Sequence, residues 1–219
     1  MGSQFDRVSI ASSGPVGLRK ISAVGNISVT SSGDLDVYGP IASSQGSIDL
    51  SALGSASWLQ YRATSNLTAP GSQISGLAGG KIRMESGAVI NASIAQGTGG
   101  SILLDAPIVE LNGLLLNSDL AQIPADKISV YTSGSQSGGS VLVGSRVKPS
   151  QVSLSNLYIV ADPPAAVGGQ ISIQGASIVA GNSALNVAGT SGGSITLGDA
   201  TSQSISIQGG AFVGGSGAS

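Results

Sequence analysis

Histidine and cysteine are both absent from the 219 residues, so ionisable chemistry rests on eleven carboxylates, nine cationic side chains and four tyrosines. That removes Ser–His–Asp and cysteine nucleophile systems, imidazole bases, and His- or Cys-built metal sites. Carboxylate chemistry remains: paired acids acting on glycosidic bonds, sometimes with calcium. Ten of the acids are scattered beyond the lead-in, at Asp34, Asp36, Asp49, Glu85, Asp105, Glu110, Asp119, Asp126, Asp162 and Asp199, and the eleventh is Asp6. The best pair is Asp34 and Asp36, two apart and therefore on one face of a strand. Asp105 and Glu110 reach them only if the chain stacks on itself. Without such convergence these are solvated outer-face residues, which is the favoured reading. No catalytic, cofactor-binding or metal-ligating residue is assigned, and the chain is expected not to be an enzyme.

One stretch carries recognition chemistry. SASWLQYRATSN (Ser55–Asn66) holds the only Trp, with a Tyr and an Arg close by. Trp58, Tyr61 and Arg62 are types enriched in binding patches, and aromatic rings stack on sugars. They are the candidate ligand or partner contact. The competing structural reading is that Trp58 plugs a widened part of the core or packs a loop. NSDLAQIPADK (Asn117–Lys127) and VADPPAAVGG (Val160–Gly169) read as excursions from regular structure, and LLLNSDLAQI (Leu114–Ile123) as strand plus loop. Glycine-rich ion and phosphate sites are excluded by their neighbours. The double glycines precede Lys, Ser or Gln rather than the Asp of calcium repeats, and Lys81 lacks phosphate-loop spacing.

Composition narrows the partners. Net charge is −2, and no basic cluster exceeds Arg19-Lys20, which sets nucleic acid aside. No apolar run approaches the ~18 residues of a membrane span, and no signal peptide opens the chain. Met1-Gly2-Ser3-Gln4 reads as a lead-in added to an excised segment. Charged residues are only 9% and aromatics 3%, while hydrophobic content is 41%, so the chain is neither disordered nor short of core.

The elements that position these residues follow a beat. GGSILL, GGKIRM, GGSVLV, GGQISI and GGSITL repeat one phrase, with looser copies GNISV and GSIDL. The beat glycines Gly25, Gly46, Gly80, Gly100, Gly139, Gly169 and Gly193 are 21, 34, 20, 39, 30 and 24 residues apart. After each, apolar residues alternate with polar ones, as Ile27/Val29, Ile102/Leu104 and Ile171/Ile173 do, which is a strand with one face inward. Further short strands lie between, including GDLDVYG, AVINASIA (inward Val89, Ala92, Ile94) and APIVELNG (inward Ile108, with Leu111 a second candidate). Two or three short strands per repeat describe one coil of a parallel β-helix, whose inward residues are buried only by stacking. The expected fold is all-β, a right-handed parallel β-helix (β-solenoid) of roughly eight coils of uneven length. At ~4.8 Å per coil it is a rod about 40 Å long. Double glycine marks a corner, either because φ is positive or because the neighbouring backbone lies too close for a side chain. An antiparallel sandwich is the alternative. Residues 1–20 are expected to be a lead-in plus first coil, 21–208 the shaft, and 209–219 a flexible Gly/Ser-rich tail.

The phrases GDLDVYGPIASSQGSIDLSALG (Gly33–Gly54) and GGKIRMESGAVINASIAQGTGGSILLDAPIVELNG (Gly79–Gly113) resemble repeats of filamentous-haemagglutinin-type exoproteins of two-partner secretion. The resemblance spans roughly Ile21 to Gln208, and it is one of repeat grammar rather than of catalytic signature. It implies a secreted, outer-membrane-associated surface protein of a Gram-negative bacterium. The function implied is a structural shaft of an adhesin, displaying a binding or effector element away from the cell. Implied partners are a surface glycan or receptor and an outer-membrane transporter. The Asn-Pro-Asn motifs of that family's secretion domain are absent. The alternative is a β-helical polysaccharide-binding or polysaccharide-degrading protein of the tailspike or lyase kind. Open strand edges at the two ends add end-to-end self-association as a further expectation.

Overall fold

The computed structural model describes residues 5–113, 130–147, 149–161 and 167–214. LLLNSDLAQI, NSDLAQIPADK and most of the proline loop therefore lie outside the described residues. Twenty-two strands and no helix are described, and they wind into eight coils. Coil 1 is β1 (Val8–Ser12), β2 (Val16–Leu18) and β3 (Ile21–Ala23). Coil 2 is β4 (Ile27–Ser31), β5 (Leu35–Val37) and β6 (Pro40–Ser43), and coil 3 is β7 (Ile48–Ala52), β8 (Trp58–Tyr61) and β9 (Asn66–Thr68). Coil 4 is β10 (Gln73–Ala78), β11 (Lys81–Met84) and β12 (Val89–Asn91). Coil 5 is β13 (Ser101–Asp105), β14 (Ile108–Asn112) and β15 (Val130–Tyr131). Coil 6 is β16 (Ser140–Val143), β17 (Gln151–Ser155) and β18 (Tyr158–Val160). Coil 7 is β19 (Gln170–Ile173) and β20 (Ser177–Val187), and coil 8 is β21 (Ser194–Leu197) and β22 (Ser204–Gly214).

All pairings between coils are parallel, so the molecule is a parallel β-helix. The first face is the sheet β1-β4-β7-β10-β13-β16-β19-β21. The second and third faces form one sheet because β20 pairs β17 with its first half and β18 with its second, turning the corner without a break. Register stacks like on like. Val8, Ile27, Ile48, Ile74, Ile102, Val141, Ile171 and Ile195 share one inward column. The third face stacks Ile41, Leu67, Ile90, Val130, Ile159 and Leu185. These columns are the core, and their interior members are fully buried. Both end coils leave the columns open, with Ile205 45% and Ile207 47% exposed at one end and Val8 and Ile10 only partly covered at the other.

The register corrects the expected beat at one point. GGKIRM belongs to β11 on the second face, whereas the other double-glycine phrases open first-face strands. The first-face strand of coil 4 is instead QISGLA, β10. Two strands are also one residue out of the expected phase: Ile90 rather than Val89, and Val109 rather than Ile108, point inward. A one-residue slip reverses every side chain. Finally, β22 carries paired backbone to Gly214, past the expected shaft boundary at 208.

The glycine question has a definite answer. Gly99, Gly100, Gly138, Gly139, Gly168 and Gly169 have no positive φ. A Cβ on Gly99 would overlap the Thr132 carbonyl, and one on Gly139 the Gly100 carbonyl. Close approach, not left-handed backbone, demands glycine there. In three pairs the second glycine donates its N–H to the carbonyl just past a third-face strand: Gly100 to Ala92 at 2.9 Å, Gly139 to Thr132 at 2.7 Å, Gly169 to Ala161 at 2.8 Å. Positive φ is used at the corner from second to third face, by Asn156 (φ 49°), Asn182 (φ 45°) and Gly209 (φ 67°) in successive coils. Asn tolerates that region better than other side chains. Asn182 Nδ2 also donates to Asn156 Oδ1 at 2.9 Å, tying the two coils.

Candidate functional site

Strand β8 alternates, so its residues divide between inside and outside. Leu59 and Tyr61 point inward, while Trp58 and Gln60 are half-buried on the outer surface. This corrects the expectation for Tyr61. Its side chain is 0% exposed and touches no ligand-accessible surface. The ring occupies space that the neighbouring coil vacates: Gly76 stands in an inward column between Leu50 and Leu104, and a Cβ there would meet the Tyr61 hydroxyl. That hydroxyl has no hydrogen-bond partner among the described residues, and burial pushes its pKa well above the ordinary 10.

Trp58 and Arg62 lie outside, and each is built into ties between coils. The Trp58 backbone N–H donates to Asp34 Oδ1 at 2.8 Å. The Lys81 ammonium of the next coil lies 4.9 Å from the indole centroid and pairs with Glu110 Oε1 of the coil beyond at 2.6 Å. Arg62 reaches both ways along the axis, to Asp36 Oδ1 (2.6 Å) and Glu85 Oε1 (3.0 Å), with its guanidinium carbon 5.6 Å from the Tyr38 centroid. The Asp36 hydrogen bond holds the Arg62 pKa above its usual value. The second Glu85 oxygen accepts the Ala63 N–H at 3.2 Å. Of the three expected contact residues, then, one is core and two are engaged in longitudinal ties. Neither indole nor guanidinium is presented as a bare platform.

The remaining acids are held by their surroundings. Asp49 accepts the hydroxyls of Ser47 and Ser75. Asp105 is 1% exposed and accepts the Arg146 and Val147 N–H groups at 2.8 and 3.3 Å, closing a loop. Among the described residues no group of three or more His, Cys, Asp or Glu could hold a metal ion. An open trough of about 760 Å³ follows the glycine corner over coils 4 to 8, lined by glycine, serine, glutamine, threonine and valine. Three buried serines went unread in the sequence. Ser31, Ser43 and Ser57 sit at corners and bond carbonyls of Gly14 (2.7 Å), Gly25 (2.8 Å) and Ala52 (2.6 Å). An apolar–any–Ser ending to β4 and β6 was the signal for Ser31 and Ser43, whereas Ser57, just before β8, carried none.

Fold and surface together define a repeat protein of the parallel β-helix class. No protein-family model, curated protein or solved structure matches this chain.

Proposed function

We propose that this chain is the structural shaft of a secreted bacterial cell-surface adhesin or exoprotein of the filamentous-haemagglutinin kind. It holds a binding or effector element away from the cell, and its parent chain is exported through an outer-membrane transporter. One observation carries the reading: eight coils share a single continuous interior, aliphatic but for Tyr61, while outer charges tie coil to coil over coils 2 to 5. That arrangement suits a load-bearing rod. Parallel strands put every inter-coil hydrogen bond along the axis, and stability is then a sum over neighbouring coils.

The test is single-molecule pulling from both ends. A shaft resists extension and then yields in steps of one coil, 19 to 39 residues each by the first-face register. Extension as smooth as a Gly/Ser linker overturns the reading. Release of reducing ends or unsaturated uronates from a polysaccharide panel would replace it with the degradative one.

A further inference from the structure

We infer that a cleft on the second face, across coils 4 to 6, is a binding site for one pyranose ring of a glycan. The cleft measures about 220 Å³ and is bordered by Arg83, Glu85, Glu110, Asn112, Ser153 and Ser155. It is smaller than the pockets that take drug-sized ligands and suits a single sugar ring.

The first argument is what its side chains leave unengaged. In coils 2 to 4, Asp34, Asp36, Arg62, Lys81 and Glu85 all have partners. At the cleft the pattern stops. The Arg83 guanidinium, the Asn112 amide and the Ser153 and Ser155 hydroxyls make no side-chain hydrogen bond or ion pair to a described residue. Glu110 is held through Oε1 alone. The cleft therefore presents fork-shaped donors, an amide with both donor and acceptor, two hydroxyls and a carboxylate oxygen. Sugar hydroxyls donate and accept at once and match that mixture.

The second argument is spacing. Arg83, Glu110 and Ser153 are register partners on adjacent strands, and Asn112 pairs with Ser155 two residues along. Polar groups thus form a grid about 4.8 Å by 6.6 Å, set by strand separation and twice the rise per residue. The grid is rigid because each strand is hydrogen-bonded on both sides. Side chains rooted at that spacing can reach opposite edges of one six-membered ring.

Charge selects against other ligands. Glu85 and Glu110 are already matched by Arg62 and Lys81, and Arg83 stands between them, so a metal cation gains nothing. The inference does not depend on the shaft reading, since a rod can be passive or adhesive.

Saturation-transfer NMR on the whole chain tests it, with methyl glucoside, methyl mannoside, methyl galactoside, N-acetylglucosamine, glucuronate and galacturonate as probes. The expected result is transfer to at least one of them, with Kd in the millimolar range (about −4 kcal/mol). Arg83→Ala and Asn112→Ala each weaken it at least fivefold, while Trp58→Ala leaves it unchanged. Preference for the uronates would place the ring's carboxylate on Arg83; preference for the neutral sugars would place hydroxyls there. Ser153→Val with Ser155→Val, which suits a strand, gives the same loss without touching charge. No transfer from any probe overturns the inference. So does equal transfer in the Arg83→Ala/Asn112→Ala variant with an unchanged circular dichroism spectrum.

Discussion

On its second face the shaft has two unlike halves. Over coils 2 to 5 the outer positions hold Asp34, Trp58, Lys81 and Ile108 in one column, and Asp36, Gln60, Arg83 and Glu110 in the next. Over coils 6 to 8 the same columns hold Gln151, Ser177 and Ser204, and Ser153, Val179 and Ser206. The inward columns do not change character: Leu35, Leu59 and Ile82 continue as Val109, Val152 and Ile178. Two different exteriors are thus laid on one interior. The stack is held from within, and the outer surface is free to carry either charged ties or uncharged ones. Magnitudes agree: a buried Ile contributes about 1.5–3 kcal/mol, and an exposed ion pair about 0.2–1 kcal/mol.

The strongest way to break this comparison is from inside. Ile102→Asp places a carboxylate in a dry column and is expected to cost more than about 3 kcal/mol. Ile171→Asp, in the half whose inter-coil ties are uncharged, should cost as much. Guanidinium denaturation checks both, and an unchanged midpoint in either refutes the view that the interior governs stability.

Glycine comes next. Gly139→Ala forces a Cβ onto the Gly100 carbonyl and should cost about 1–3 kcal/mol. Gly181→Ala, whose Cβ would meet nothing nearer than the Leu154 carbonyl at 3.9 Å, should fall near zero. Equal thermal shifts would mean that close approach is not the reason for the double glycines.

Tyr61 sharpens the interior itself. Tyr61→Phe removes a buried hydroxyl without a partner among the described residues and should raise stability by up to about 1 kcal/mol. Gly76→Ala should destabilise the native chain and be tolerated in Tyr61→Leu, a coupling that a double-mutant cycle measures. The Tyr61 pKa is raised on folding, so its contribution is whole below pH 10 and is lost as pH climbs towards the folded value. Above pH 10 the native chain should lose up to about 1.4 kcal/mol per pH unit from this residue, and Tyr61→Phe should lose less.

The smallest effect belongs to the ties. Arg62→Ala should cost about 1 kcal/mol at low salt and almost nothing at 1 M, where screening is short-ranged. Ser153→Ala should cost nothing at either. An Arg62→Ala loss larger than that of Gly139→Ala would reverse the ranking of inside over outside.

Much of this was legible in the sequence, and the failures have physical causes. Alternation after glycine located the strands and the eight coils, because period two survives in any half-buried strand. The phase of GGKIRM was not legible. A corner glycine before an alternating run looks the same on either face, and only pairing with Trp58–Tyr61 assigns it to the second. Tyr61 was readable in principle, since Leu59 and Tyr61 share a parity; its chemistry suggested a surface role, and packing against Gly76 decided otherwise. The cleft at Arg83 could not be read. It joins residues 83, 112 and 153, and their meeting depends on coil lengths no local pattern states.

One hydrogen bond described above makes the shaft modular. Where Gly100 or Gly139 donates to the carbonyl just past a third-face strand, the chain between donor and acceptor is a closed side branch. The branches are seven and six residues long, so the unequal coil lengths arise elsewhere, and lengthening a loop costs little once its ends are fixed. The corner thus works as a socket. A foreign peptide set between Ala92 and Gly100 would hang from the rod's flank while the rungs above and below kept their alignment, and copies placed at successive corners would stand in a row at the pitch of the coil.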